Sequence, residues 1–125
     1  MAMEEAIFEQ PWANFFGFER VDDKGKTHWQ PWVIRGNGTL RLTSKGVYFS
    51  RYAPQLEIFI PLQDILKVDL GRWHNGKTYL FLPILKIHFE KDGEVQIFGV
   101  CVGRKRKALR WKEKTEKMMN LGTRS

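Results

Sequence analysis

The stretch LGRWHNGKTYLFLPILKIHFE, residues 70–90, decides between two fold classes. Its first part fits the P-loop spacing: Gly71, four free positions, then Gly76, Lys77 and Thr78. A P-loop needs a strand before it and a helix starting at the Lys-Thr pair, so that backbone N–H groups and the helix N-terminus face the phosphates. A strand pattern precedes it over residues 65–70. The segment after Thr78 does not read as a helix. Residues 79–90 are rich in β-formers, contain Pro83, and end with Leu85, Ile87 and Phe89 alternating with Lys86, His88 and Glu90, the period of a half-buried strand. Trp73 and His74 are bulky for a loop that must approach phosphate closely. No second parallel strand ending in an acid is present to hold Mg²⁺. Asn75–Gly76 favours a tight hairpin turn, because both positions tolerate positive φ. The stretch therefore reads as strand, turn, strand, with nucleotide binding by Gly71–Thr78 kept as an alternative.

The same pattern extends outward in both directions. Turn signals at Asn37–Gly38, Lys45–Gly46 and Asp92–Gly93, and a looser one over Asp22–Lys26, separate alternating runs. Leu40 and Leu42 share a face, as do Val47 and Phe49, then Leu56, Ile58 and Ile60, then Leu66, Val68 and Leu70, and later Val95 and Ile97. Short period-two runs at this spacing predict an antiparallel sandwich or barrel. Two further strands are expected in NFFGFERV and HWQPWVIR, with Pro31 at an edge or bulge.

At the C-terminus the period changes. Ala108, Trp111, Thr115 and Met118 recur at three and four, the face of one helix, with Gly122 placed for a C-cap. The expectation is a mainly β protein of about seven strands with one helix at the C-terminus. It forms one domain over residues 15–121, with residues 1–14 packing on or extending it and 122–125 as a short tail.

The chain has 125 residues and a net charge of +7. Through residue 103 its charges balance, so the whole excess lies in residues 104–125, which open with RKRKALRWKEKTEK. On a helix, Arg106, Arg110, Lys114 and Lys117 form one stripe beside the buried face, partly offset by Glu113 and Glu116. Such a stripe suits acidic headgroups, phosphodiesters or an acidic partner. Nucleic acid ranks lower, because the body is neutral and Trp111 turns toward the core. Arg72, Trp73, His74 and Lys77 form a second group that could meet a ligand at the tip of the hairpin loop.

Other chemistry is sparse. His28, His74 and His88 are scattered, no pair has zinc spacing, and neither a metal nor a cofactor is expected. Cys101, the single cysteine, lies between two valines as a buried thiol would. No catalytic set emerges, so the chain is not expected to be an enzyme. No secretory leader and no apolar run long enough for a membrane span is visible. A cytoplasmic protein, peripheral to a membrane at most, is expected.

The segments GTLRLTSKGVYFSRY and IFIPLQDILKVDL, with a hairpin and then a helix carrying Trp111 after them, resemble the GRAM and pleckstrin-homology-like superfamily over about residues 36–121. The resemblance implies a strongly bent antiparallel barrel capped by the C-terminal helix. It also implies a non-catalytic module that binds phosphoinositides, other lipids or protein segments, including peptides along a sheet edge or groove. In one respect the sequence departs from the pattern: the loop at Thr43–Gly46 is tight and offers only Lys45, where phosphoinositide binders carry several cations.

Overall fold

A computed structural model describes residues 7–29, 35–74 and 82–123, with the backbone alone for residues 29 and 121–123. Eight strands and one α-helix come in order: β1 (Phe8–Val21), β2 (Thr27–Trp29), β3 (Gly36–Leu42), β4 (Gly46–Arg51), β5 (Leu56–Pro61), β6 (Ile65–Gly71), β7 (Ile84–Lys91), β8 (Glu94–Cys101) and α1 (Lys105–Thr123). Every strand pairing is antiparallel.

The sheet order is β5-β4-β3-β1-β8-β7-β6, with β2 pairing on β1. β5 and β6 are consecutive, linked only by a 3-10 turn at Leu62–Asp64, yet they occupy opposite edges. A link that short requires the sheet to bend until its two edges approach one another. Among the described residues those edges do not pair, so the expected barrel is an open, strongly bent sheet. Helix α1 packs on β6, the 3-10 turn and β7. The architecture, mainly β with one C-terminal helix, is consistent with a pleckstrin-homology-like fold.

β1 makes the bend possible. Its first half pairs with β3 and its second half with β8, and its register slips twice, between Gln10 and Ala13 and between Phe15 and Gly17. Such bulges bend and twist a strand. Gly17 takes φ 94° at the second, where a side chain would be strained. β1 starts at Phe8 and is therefore longer than the expected strand NFFGFERV. Of the expected strand HWQPWVIR, His28 and Trp29 pair with β1 as part of β2, and residues 30–34 lie outside the described residues.

One core lies inside the bend. Phe15, Leu40, Leu42, Phe49, Leu85, Ile87, Phe98, Val100 and Trp111 are fully buried in it. The helix presents Ala108, Trp111 and Thr115 to that core, as its period predicts. Thr115 Oγ1 donates to the Trp111 carbonyl at 2.7 Å, a back-bond that satisfies a buried hydroxyl. Gly122 lies within α1, which continues to Thr123, instead of capping it.

Two further expectations are corrected. Asn37 and Gly38 lie within β3, opposite β1 and β4, and form no turn. There is no room for a side chain at Gly38: a Cβ would meet the Ser50 carbonyl oxygen, so the glycine reflects close strand approach. Leu66 does not share the inward face with Val68; a register shift between Ile65 and Lys67 turns it out, 51% exposed. The turns at Lys45–Gly46 and Asp92–Gly93 are present. Thr43 Oγ1 accepts the N–H groups of Lys45 and Gly46 in the first. Asp92 and Gly93 take φ 54° and 78° in the second.

Candidate functional site

β6 and β7 are antiparallel neighbours, with Gly71 opposite Ile84. The stretch 71–84 therefore connects a hairpin. β7 begins at Ile84, and the only α-helix among the described residues starts far downstream at Lys105. Arg72 and Trp73 are exposed, Trp73 at 63%. Lys77 and the Asn75–Gly76 turn lie outside the described residues.

His74 is not at the loop surface. It is fully buried, its ring lying over Gly99 of β8, where a Cβ would clash with it. Its Nε2 lies 2.7 Å from the Gly17 carbonyl oxygen. A carbonyl only accepts, so Nε2 carries the proton. Nδ1 stands 3.4 Å from Glu19 Oε1, within ion-pair distance though without hydrogen-bond geometry. Lys86 Nζ approaches the same oxygen at 3.6 Å. This cluster pins the start of the connection after β6 to β1, β7 and β8. A lone histidine in a loop gives no sequence signal for it; the pattern Ile97, Gly99, Cys101, with a glycine between buried residues, is the nearest hint.

The cations of α1 occupy a different place. β8 stops at Cys101, where it pairs with Asn14 of β1. Beyond that point the chain turns through Gly103 into α1, and the edge of β1 opposite β3 has no strand partner among the described residues from Phe8 to Ala13. Between that edge and the first two turns of α1 runs a groove of about 540 Å³. Phe8, Glu9 and Gln10 line one wall; Arg104, Arg106, Lys107 and Arg110 line the other. The acid in this lining, Glu9, is bound by Arg41 of β3, its Oε1 accepting from Arg41 Nε at 2.8 Å. Among the described residues none of the four cations has a carboxylate within ion-pair distance. Glu116 pairs with Lys112 at 2.9 Å on the other flank of the helix and not with the stripe. No acid occupies the first turn, so the helix macrodipole opposes the cations there by roughly 0.3–1 kcal/mol each.

The four cations of the expected stripe are divided between different surroundings. Arg106 and Arg110 line the groove. Arg110 and Lys114 also stand over the Phe8 ring, at 5.8 and 5.6 Å from its centre, each contact worth roughly 0.5–1 kcal/mol at a partly exposed site. Lys117 is exposed one turn beyond Lys114. Around the other side of the helix start, Arg72 and Lys105 line a cleft of about 270 Å³ with Leu70, Gly71 and Pro83. The fold therefore brings Arg72 to the same end of α1 as the stripe, which no sequence spacing indicates.

Two other features carry little charge. Trp12, in the first bulge of β1, takes φ 59°, a costly conformation for a large side chain. It is 71% exposed and meets Tyr52 edge-on at 4.7 Å. Its N–H donates to the Tyr52 hydroxyl, which also bonds Thr39. A larger groove of about 750 Å³ beyond the C-terminal half of α1 is lined mainly by Phe59, Leu62, Leu66 and Met119, with Lys45 at its side. Among the described residues no three His, Cys, Asp or Glu side chains group to hold a metal ion, and no helix is long and apolar enough to cross a membrane.

The structure thus defines a mainly β chain with a cationic groove between its first strand and its C-terminal helix. No family model and no curated protein matches the sequence. A solved structure from work on SsgB, whose mutations correlate to longitudinal cell division during sporulation of Streptomyces coelicolor, aligns with it at a TM-score of 0.34 and 8% identity, over 94% of this chain and 93% of that one. At that TM-score the likeness supports no statement about fold or function.

Proposed function

We propose that the chain is a non-catalytic binding or adaptor module that takes an anionic partner on the cationic face around the start of α1. The observation that carries this is the groove wall of Arg104, Arg106, Lys107 and Arg110, none of which has a carboxylate within ion-pair distance among the described residues. Four clustered cations with no carboxylate at ion-pair distance attract an anion from solution and steer its approach. The wall opposite is a strand, and a concave cleft between strand and helix fits a protein segment better than the plane of a bilayer. An acidic protein partner is accordingly the leading reading.

The second reading is an anionic membrane surface, and Trp73 favours it. An exposed indole beside Arg72 is the combination that anchors a protein at the headgroup level. A nucleic acid ranks below both, because stacking needs open aromatic faces among the cations, whereas Trp111 is fully buried and the Phe8 ring is already packed by Trp111, Arg110 and Lys114.

Co-sedimentation with neutral and anionic vesicles, beside fluorescence anisotropy with a labelled polyglutamate peptide, tests the proposal. Saturable binding to the peptide that weakens with salt is expected. Binding to anionic vesicles alone selects the membrane reading, and binding to neither at low salt overturns the proposal.

A further inference from the structure

Among the described residues, β8 pairs with β1 only from Asn14 onward. Over Phe8–Ala13, β1 has β3 on one side and the groove on the other. A strand edge presents backbone N–H and C=O groups that an extended chain can bond. The bulge between Gln10 and Ala13, together with Pro11, which has no N–H, limits the regular edge to Phe8–Gln10. Beyond that short ladder only side chains remain to hold a partner, and on the helix wall those are Arg104, Arg106, Lys107 and Arg110. Glu9 does not repel an acid there, because Arg41 already binds it.

We infer that the partner is an acidic protein segment in extended conformation, which adds as a short strand to the free edge of β1 at Phe8–Gln10 and turns its carboxylates toward the cations of α1. This rests on the anionic-partner reading above and adds to it the binding mode. Backbone bonds to β1 fix the direction and register of the segment. Successive side chains of a strand alternate between faces, so acids at every second position meet the helix wall. The Phe8 ring, held by Trp111 at 4.6 Å, forms the apolar end of the site.

The probe is a synthetic peptide of alternating Glu and Val, titrated into the full chain. Two versions are N-methylated on alternate sets of residues, which removes backbone donors from one edge and leaves every charge in place. The expected result is that one methylated version loses about tenfold or more in affinity while the other binds nearly as the parent, because only one edge of an added strand faces β1. Hydrogen exchange at those amides of residues 8–10 that face away from β3 should slow on binding the parent. Equal binding of parent and both methylated peptides, with the double variant Arg106→Glu/Arg110→Glu abolishing all three, overturns strand addition and leaves the anionic-partner reading intact. No binding of any peptide by the unaltered chain, with or without binding to anionic vesicles, overturns the inference together with the leading reading.

Discussion

The ring of Phe8, the first residue of β1, lies 4.6 Å from that of Trp111 at a 48° tilt. This contact joins the first strand to the C-terminal helix and forms the floor beside which the groove opens. Trp111 is fully buried, and its Nε1 has no hydrogen-bond partner among the described residues. Trp111→Ala should cost about 3–5 kcal/mol, the range for deleting a large aromatic from a core. Trp111→Phe should cost distinctly less, because it keeps a ring in the core while, like the alanine, removing the buried unpaired donor. Urea unfolding of the two variants gives the comparison; equal losses would show that the phenyl ring recovers none of the packing.

Gly99 leaves the space into which His74 fits. A Cβ there would overlap the Cδ2 edge of the His74 ring. Gly99→Ala should destabilise the fold by about 1–3 kcal/mol, as overpacking does. In a His74→Ala background the same change should cost much less. A double-mutant cycle measures that coupling. Additive losses would mean that the alanine is resisted by something other than the imidazole.

Acid should weaken the fold in two stages. Burial holds His88 below its ordinary value of 6.5, with Asp69, 3.2 Å away, opposing the shift. Below about pH 6.5 the unfolded chain takes up a proton that the folded chain accepts only at lower pH, so stability falls as the pH drops through that window. Asp22 acts at lower pH. The His28 side chain, then the backbone N–H groups of Lys26 and Lys24, hold its carboxyl below 3.8. Its contribution is present above that value and is lost as the pH falls toward its folded pKa. Melting temperature measured from neutral pH down to about pH 5 should decline, and His88→Gln should flatten the decline. A melting temperature that stays level or rises for the unaltered chain contradicts this.

Cys101 is 3% exposed, burial pushes its thiol up from its ordinary value, and its S–H donates weakly to the Gly103 carbonyl at 3.9 Å. The thiolate is the reactive form. Iodoacetamide should leave Cys101 unmodified in the folded chain at neutral pH and alkylate it in urea, as mass spectrometry would read. Rapid modification of the folded chain would place the thiol at the surface.

Much of this fold could be read from alternation alone. Leu85, Ile87 and Phe89, and Ala108, Trp111 and Thr115, face the core as their periods require. The sequence misled where a register slipped or where an expected turn signal lay inside a strand. Leu66 turned outward because a bulge precedes Lys67, and Asn37–Gly38 proved to be a site of close strand approach. The open edges were not legible, since strand order depends on pairings between distant residues, such as β1 with β8. For the site, helical spacing alone was enough to line up Arg106, Arg110, Lys114 and Lys117. The strand wall that makes two of them part of a groove, and the approach of Arg72 to Lys105, are tertiary relations. So is the burial of His74, which the chain places among bulky loop residues.

The central claim is that the groove between β1 and α1 takes an anionic partner. The most direct measurement is the affinity of the full chain for a labelled polyglutamate peptide, beside that of Arg106→Glu/Arg110→Glu at matched thermal stability. The account predicts saturable binding that weakens with added salt, and a loss of at least about tenfold in the charge-reversed chain. Equal affinity of the two chains, or no binding by the unaltered chain at low salt, contradicts it.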